Sequence, residues 1–112
     1  MSNIKIVNLT PHPINIMNGD GNIQVTFAPS GDVARVSSTT TSAGTIAGIP
    51  VSKLKMGDIT GLPASQKDTI YIVSSLVRGQ SNRTDLVSPD TSPTGVVRDT
   101  NGKIVGVKGF QQ

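Results

Sequence analysis

Apolar and polar positions alternate over residues 3–9, with Ile4, Ile6 and Asn8 on one side and Lys5, Val7 and Leu9 on the other. That period of two predicts a half-buried strand. Pro11-His12-Pro13 ends it, because each proline removes a ladder donor. The pattern resumes over 14–17 and again over 23–28, where Ile23, Val25 and Phe27 alternate. Between them lies Asn18-Gly19-Asp20-Gly21, whose dipeptides favour positive φ, so the two segments predict a hairpin. Pro29-Ser30-Gly31 is a turn before a third strand over 33–37. The polar Ser/Thr stretch 38–44 fits a long hairpin tip or a mobile loop. Residues 45–54 read as extended chain interrupted by Gly48 and Pro50, and 55–63 as a strand followed by a turn.

Thr69-Ile70-Tyr71-Ile72-Val73 is the strongest strand signal: short, continuous and β-branched, it suits a central position with both faces buried. Ser74 stands where a helix N-cap belongs, Ser75 to Arg78 follow as one short helix, and Gly79 is placed to end it. Residues 82–85 form a polar loop, Leu86-Val87 a stub of strand, and 88–93 a turn-rich crossing. Residues 95–99 and 103–108 flank Asn101-Gly102, a second strong hairpin signal. The expected fold is mainly β, an α+β chain with one short helix, built as an antiparallel hairpin-rich sheet or a partly open barrel or sandwich. The 112 residues suit a single domain, 1–112.

Composition narrows the classes. Only Phe27, Tyr71 and Phe110 are aromatic, so the core must be mostly Val, Ile and Leu. Such a core supplies little anchor area, and self-association is the natural supplement. All seven acids are Asp, a poor helix former, which agrees with a β-rich chain. Cysteine is absent, which favours a reducing compartment over secretion. There is no apolar run of membrane-spanning length and no signal-peptide core behind Met1, so a cytoplasmic location without membrane is expected. The net charge of +3 is spread rather than clustered, too mild to make a nucleic-acid binder by itself.

Candidate chemistry is sparse. His12 is the only imidazole and sits between two prolines, a turn setting rather than that of a poised base. Hydroxyls are plentiful, but a nucleophilic triad needs an oriented base. Zinc prefers Cys and His, and Asp20, Asp32, Asp58 and Asp68 lack calcium-loop spacing. No phosphate-cradling Gly-rich loop followed by Lys-Ser or Lys-Thr occurs. The expectation is therefore a binding protein, with no enzyme activity, no cofactor and no metal.

Four guanidinium groups are available for an anion: Arg35, Arg78, Arg83 and Arg98. Each matches phosphate oxygens bidentately and stays charged. Each also has a plainer reading, a solvated edge residue or an ion-pair partner of Asp85 or Asp99. Tyr71 is either a core residue or a ring that stacks on one base. Three aromatics are too few for a long single strand, whereas a small nucleotide needs one ring.

Ile6-Val7-Asn8-Leu9-Thr10-Pro11-His12-Pro13, Pro29-Ser30-Gly31-Asp32-Val33-Ala34-Arg35-Val36, Ile70-Tyr71-Ile72-Val73-Ser74-Ser75-Leu76-Val77, Arg83-Thr84-Asp85-Leu86-Val87-Ser88-Pro89, and Val97-Arg98-Asp99 with Asn101-Gly102-Lys103-Ile104-Val105-Gly106 together span nearly the whole chain. In these segments the chain resembles a widespread group of short phage and prophage proteins, and among them the first described Thoeris anti-defence family. The resemblance implies a sponge that sequesters signalling nucleotides of bacterial immunity, such as a cyclic ADP-ribose isomer or a cyclic oligonucleotide, without cleaving them. It implies a β-rich homo-oligomer, a dimer or a dimer-based assembly such as a hexamer, with pockets at subunit interfaces, acting in the cytoplasm of the infected host. That family's pocket uses an aromatic ring, an Asn and Arg side chains, to which Tyr71, Asn82 and Arg98 correspond by position, with Arg83 and Arg35 as further ligand-binding candidates. The competing expectation is a structural phage protein, a virion decoration or assembly factor, for which the 38–44 segment would be a docking loop.

Overall fold

A computed structural model describes residues 4–112. Ten strands and one helix follow in order: β1 Lys5–Asn8, β2 Ile14–Met17, β3 Ile23–Phe27, β4 Arg35–Ile46, β5 Ile49–Thr60, β6 Thr69–Ile72, α1 Ser75–Gly79, β7 Leu86–Pro89, β8 Val96–Arg98, β9 Ile104–Val107 and β10 Phe110–Gln111. They form three open sheets, ordered β1-β6-β7-β10, β3-β2-β9-β8 and β4-β5, with no closed barrel among the described residues. The fold is mainly β with one short helix, as the residue pattern predicts.

The first sheet is mixed rather than antiparallel. β6 lies between β1 and β7 and runs parallel to both, with Val7 opposite Tyr71 and Tyr71 opposite Leu86. Parallel neighbours need a crossover instead of a tight turn. The β6–β7 crossover carries α1, and the β1–β6 connection carries everything from β2 to β5. Tyr71, Ile72 and Val73 are fully or almost fully buried, the central setting that their β-branched run requires. Tyr71 and Val73 belong to a core in which they pack with Leu9, Ala34, Val77 and Leu86, with Val7, Val36, Ile59 and Leu62 against its rim. Each such Val or Leu contributes about 1.5–3 kcal/mol on burial.

Helix α1 starts at Ser74, whose hydroxyl accepts the Val77 N–H at 3.3 Å. Val77 is its one buried residue and points into the core. Arg78 also reaches β7, its Nε donating to the buried Ser88 hydroxyl at 2.8 Å. The helix therefore docks on β7 through one apolar and one polar contact.

In the second sheet β2 pairs antiparallel with β3 and β8 with β9, the two hairpins turning between Asn18 and Asn22 and between Asp99 and Lys103, with Gly21 and Gly102 at positive φ. β2 and β9 join parallel, through Ile16 and Val107.

The largest departure from expectation concerns residues 38–54. The Ser/Thr stretch is not a loop but the middle of β4, and the reversal lies at Ala47-Gly48, inside the segment expected to be extended. Both turn residues have positive φ, 52° and 78°, the combination that matches the twist of a two-residue hairpin. β4 and β5 thus form a two-stranded ribbon of 12 residues per strand. Ser/Thr alternation carries no hydrophobic period because neither face of this ribbon is covered, so the length of the strand left no trace in the pattern.

Candidate functional site

One concavity, of about 210 Å³, opens where the three sheets' connections meet: Leu9, Thr10 and Pro11 leave β1, Val33, Ala34 and Arg35 enter β4, and Ser74 and Leu76 begin α1. Its walls mix apolar side chains with Thr10 and Ser74, and its single charge is Arg35.

Asn8, just before these lining residues, anchors the Thr10-Pro11 side of the opening. An asparagine on the inner side of an apolar strand must satisfy both ends of its amide. Its Nδ2 donates to the carbonyls of His12 (2.8 Å) and Phe27 (2.9 Å), and its Oδ1 accepts from the Thr10 N–H (2.9 Å) and hydroxyl (2.7 Å). The Pro11-His12-Pro13 turn is thereby folded back on β1. His12 is exposed and contributes its carbonyl. Gly61, just past the end of β5, lies close to the Val33 carbonyl beside the entry to β4.

Arg35 is exposed at the first position of β4, paired with Thr60. Among the described residues it has neither an ion pair nor a side-chain hydrogen bond, and it is one of the residues that line the opening. The Ser74 hydroxyl is engaged by α1, and the Thr10 hydroxyl by Asn8.

The remaining candidates lie elsewhere. Tyr71 is 3% exposed and belongs to the core; its hydroxyl donates to the Ala64 carbonyl at 3.3 Å. Arg83 lies over the Tyr71 ring, its guanidinium carbon 5.8 Å from the centroid. That guanidinium is spent on Asp85, with Nε and Nη2 donating to the carboxylate at 2.9 and 2.6 Å, and Nη1 reaches the Pro63 carbonyl at 2.7 Å. Asn82 is exposed in the loop after α1. Arg98 is exposed at the end of β8, in the other sheet, its Nη1 donating to the Gly102 carbonyl at 2.7 Å across the hairpin. Within the chain the fold joins Tyr71 to Arg83, sets Arg35 at the concavity, and keeps Asn82 and Arg98 on the surface. Thr10, Ser74 and Leu76, which line the opening, escaped the sequence reading; the polar Asn8 within the apolar face of β1 was the signal available.

A second hollow, of about 320 Å³, lies between Pro13–Asn15, Pro89 and Ile104–Val107 and carries no charged group.

The Arg83–Asp85 pair has a titration consequence. The hydrogen bonds from Arg83 hold the Asp85 carboxyl below the usual carboxylate range, against the opposing effect of burial, and the Ser65 hydroxyl assists. As pH falls, the unfolded chain takes up its proton first, near pH 4, and the folded chain later. The stability that the pair provides is thus complete above about pH 4 and is lost as the folded carboxyl protonates below that. Chemical unfolding measured from pH 7 to pH 2 should show this component in the wild type, and Asp85→Asn should lack it; parallel profiles would remove the pair from the acid response.

No helix among the described residues is long and apolar enough to cross a membrane. No protein-family model, curated protein or solved structure matches this chain.

Proposed function

We propose that the protein is a phage-encoded sponge that binds an immune signalling nucleotide of the cyclic ADP-ribose or cyclic oligonucleotide class and holds it uncleaved in the infected bacterial cell. The observation that carries this reading is Arg35, a guanidinium without an ion-pair partner among the described residues, at a concavity that no carboxylate or imidazole lines. Such a site offers a phosphate a bidentate charge-assisted partner, and it offers a bound ester no general base. The likeness of the segments around Arg35, Tyr71 and Arg98 to the anti-defence family points the same way.

Size adds a constraint. Pockets for ligands of drug size span about 300–1,000 Å³, and the Arg35 concavity is smaller. In this reading one protomer holds part of the nucleotide, and a second subunit completes the site. Arg98 and Asn82, exposed on other surfaces, are available to it.

Calorimetry and thermal-shift measurements against ADP-ribose, cyclic ADP-ribose isomers and cyclic oligonucleotides test the proposal. The expected result is saturable binding, with chromatography recovering the nucleotide intact after heat denaturation. Arg35→Ala and Arg98→Ala should each weaken binding about tenfold, or about 1.4 kcal/mol, without loss of fold. Absence of binding, or recovery of a cleaved product, overturns the reading.

The projecting ribbon favours a second reading, a structural or assembly role in the virion. That role places the chain in purified particles, whereas a sponge stays in the lysate.

A further inference from the structure

The β4–β5 ribbon is unusual for what it does not touch. Its root is fixed to the core through Val36 and Ile59, and α1 is the only other element it meets to any extent. The described chain measures 56 × 40 × 22 Å, with a radius of gyration of 17.0 Å. A compact domain of about this length has roughly 13 Å. A two-stranded sheet alone is at best marginally stable in water, so a ribbon of this length implies something that covers it.

The register sorts its side chains. Ser38 pairs with Met56, Thr40 with Leu54 and Ser42 with Ser52, and these share one face. Thr39 pairs with Lys55 and Thr41 with Lys53 on the other. The first face carries no charge, so it can be buried without stripping water from an ion. Leu54 on it is 64% exposed, and at the tip the paired Ile46 and Ile49 are 68% and 66% exposed.

We propose that the ribbon is an arm that packs against a second copy of this chain, two copies exchanging arms about a two-fold axis. Area selects exchange over ribbon lying on ribbon. A 12-residue strand is about 40 Å long and a two-stranded ribbon about 10 Å wide, so one face covers about 400 Å². Stable interfaces take about 800 Å² from each partner. Ribbon on ribbon supplies half of that. Reciprocal arms supply it all, because each protomer buries its own ribbon face and also the surface on which the partner's ribbon lands. The body offers such a surface: Ile23, Val25 and Ile104 are exposed apolar residues of the β3-β2-β9-β8 sheet. The arrangement is isologous and closes on itself. It supplies the second subunit that the nucleotide reading calls for, but does not rest on that reading.

The test needs no nucleotide. Light scattering on the full chain at micromolar concentration should give an even multiple of 11.6 kDa. Leu54→Asp and, separately, Ile49→Asp should shift the dissociation midpoint at least tenfold toward monomer, while Lys53→Gln, on the charged face, leaves it unchanged. Circular dichroism reports whether the variants fold. Should both Asp variants unfold, hydrogen exchange of the wild type decides: amides of residues 38–56 lose protection on dilution to monomer. A wild type that is monomeric throughout, an assembly indifferent to both substitutions, or ribbon amides equally protected in monomer and oligomer would overturn the proposal.

Discussion

Asn8→Ala is expected to lower the unfolding free energy by about 3–4 kcal/mol, as the carbonyls of His12 and Phe27 and the N–H of Thr10 lose their partner. A fully buried orphan group costs about 1–3 kcal/mol; His12 is exposed and its carbonyl recovers a water, so the sum falls below three full penalties. The effect spreads because one amide ties together three stretches of chain: the end of β1, the Pro11-His12-Pro13 turn, and the end of β3 at Phe27. Urea denaturation is the measurement, with the midpoint shifted at an unchanged slope. A loss under about 1.5 kcal/mol would mean that solvent reaches all three groups. Asn8→Asp separates donors from acceptors: it keeps the acceptor for Thr10 but removes both amide donors, and it should be no milder than Asn8→Ala.

Gly61→Ala is the second large effect, at about 3 kcal/mol. Gly61 has φ of +78°, and a Cβ there would press on the Val33 carbonyl oxygen. The left-handed backbone alone costs an alanine about 1–2 kcal/mol, and forcing apart two backbone segments adds a comparable strain. Gly48 supplies the control. It has the same φ of +78° but open space where a Cβ would stand. Gly48→Ala should show the conformational cost alone, about 1–2 kcal/mol. Equal losses at the two positions would show that the Val33 segment yields freely. Val33 and Arg35 border the concavity, so Gly61→Ala should also weaken nucleotide binding, where Gly48→Ala should not.

How much of this was legible in the residues differs by element. β6 and α1 were, because a β-branched run followed by Ser74 states both a buried strand and a cap. The two Asn-Gly hairpins were, because their turns need residues that accept positive φ. Strand partnership was not: a period of two says which side chains share a face but not which strand lies alongside, so the parallel pairing of β6 was invisible. The ribbon was misread because an uncovered strand has no apolar side to announce it. β10, two residues long, is too short to carry a period.

The site divides similarly. The two-residue spacing of Arg83 and Asp85 made their ion pair readable, and it engages the guanidinium that a ligand would otherwise claim. Tyr71, on the most apolar strand, lies in the core, where that strand's character puts it. Arg35 was one arginine among four until the fold set it beside Leu9 and Leu76, residues far from it in the chain.

The place of β6 also bears on how the molecule is made. Lys5 finds Thr69, 64 positions along, and Tyr71 then waits for Leu86. During synthesis the first strand therefore leaves the ribosome without its partner strand β6 until well over half of the polypeptide has followed, with its last residue, Asn8, bridged earlier to Pro29. The β2–β3 and β4–β5 hairpins, closed by local contacts, can form in the interval, because short loops close fast and distant pairings slowly. Assembly of the central sheet is then a late event, in which both ends of the chain converge on a strand made in between.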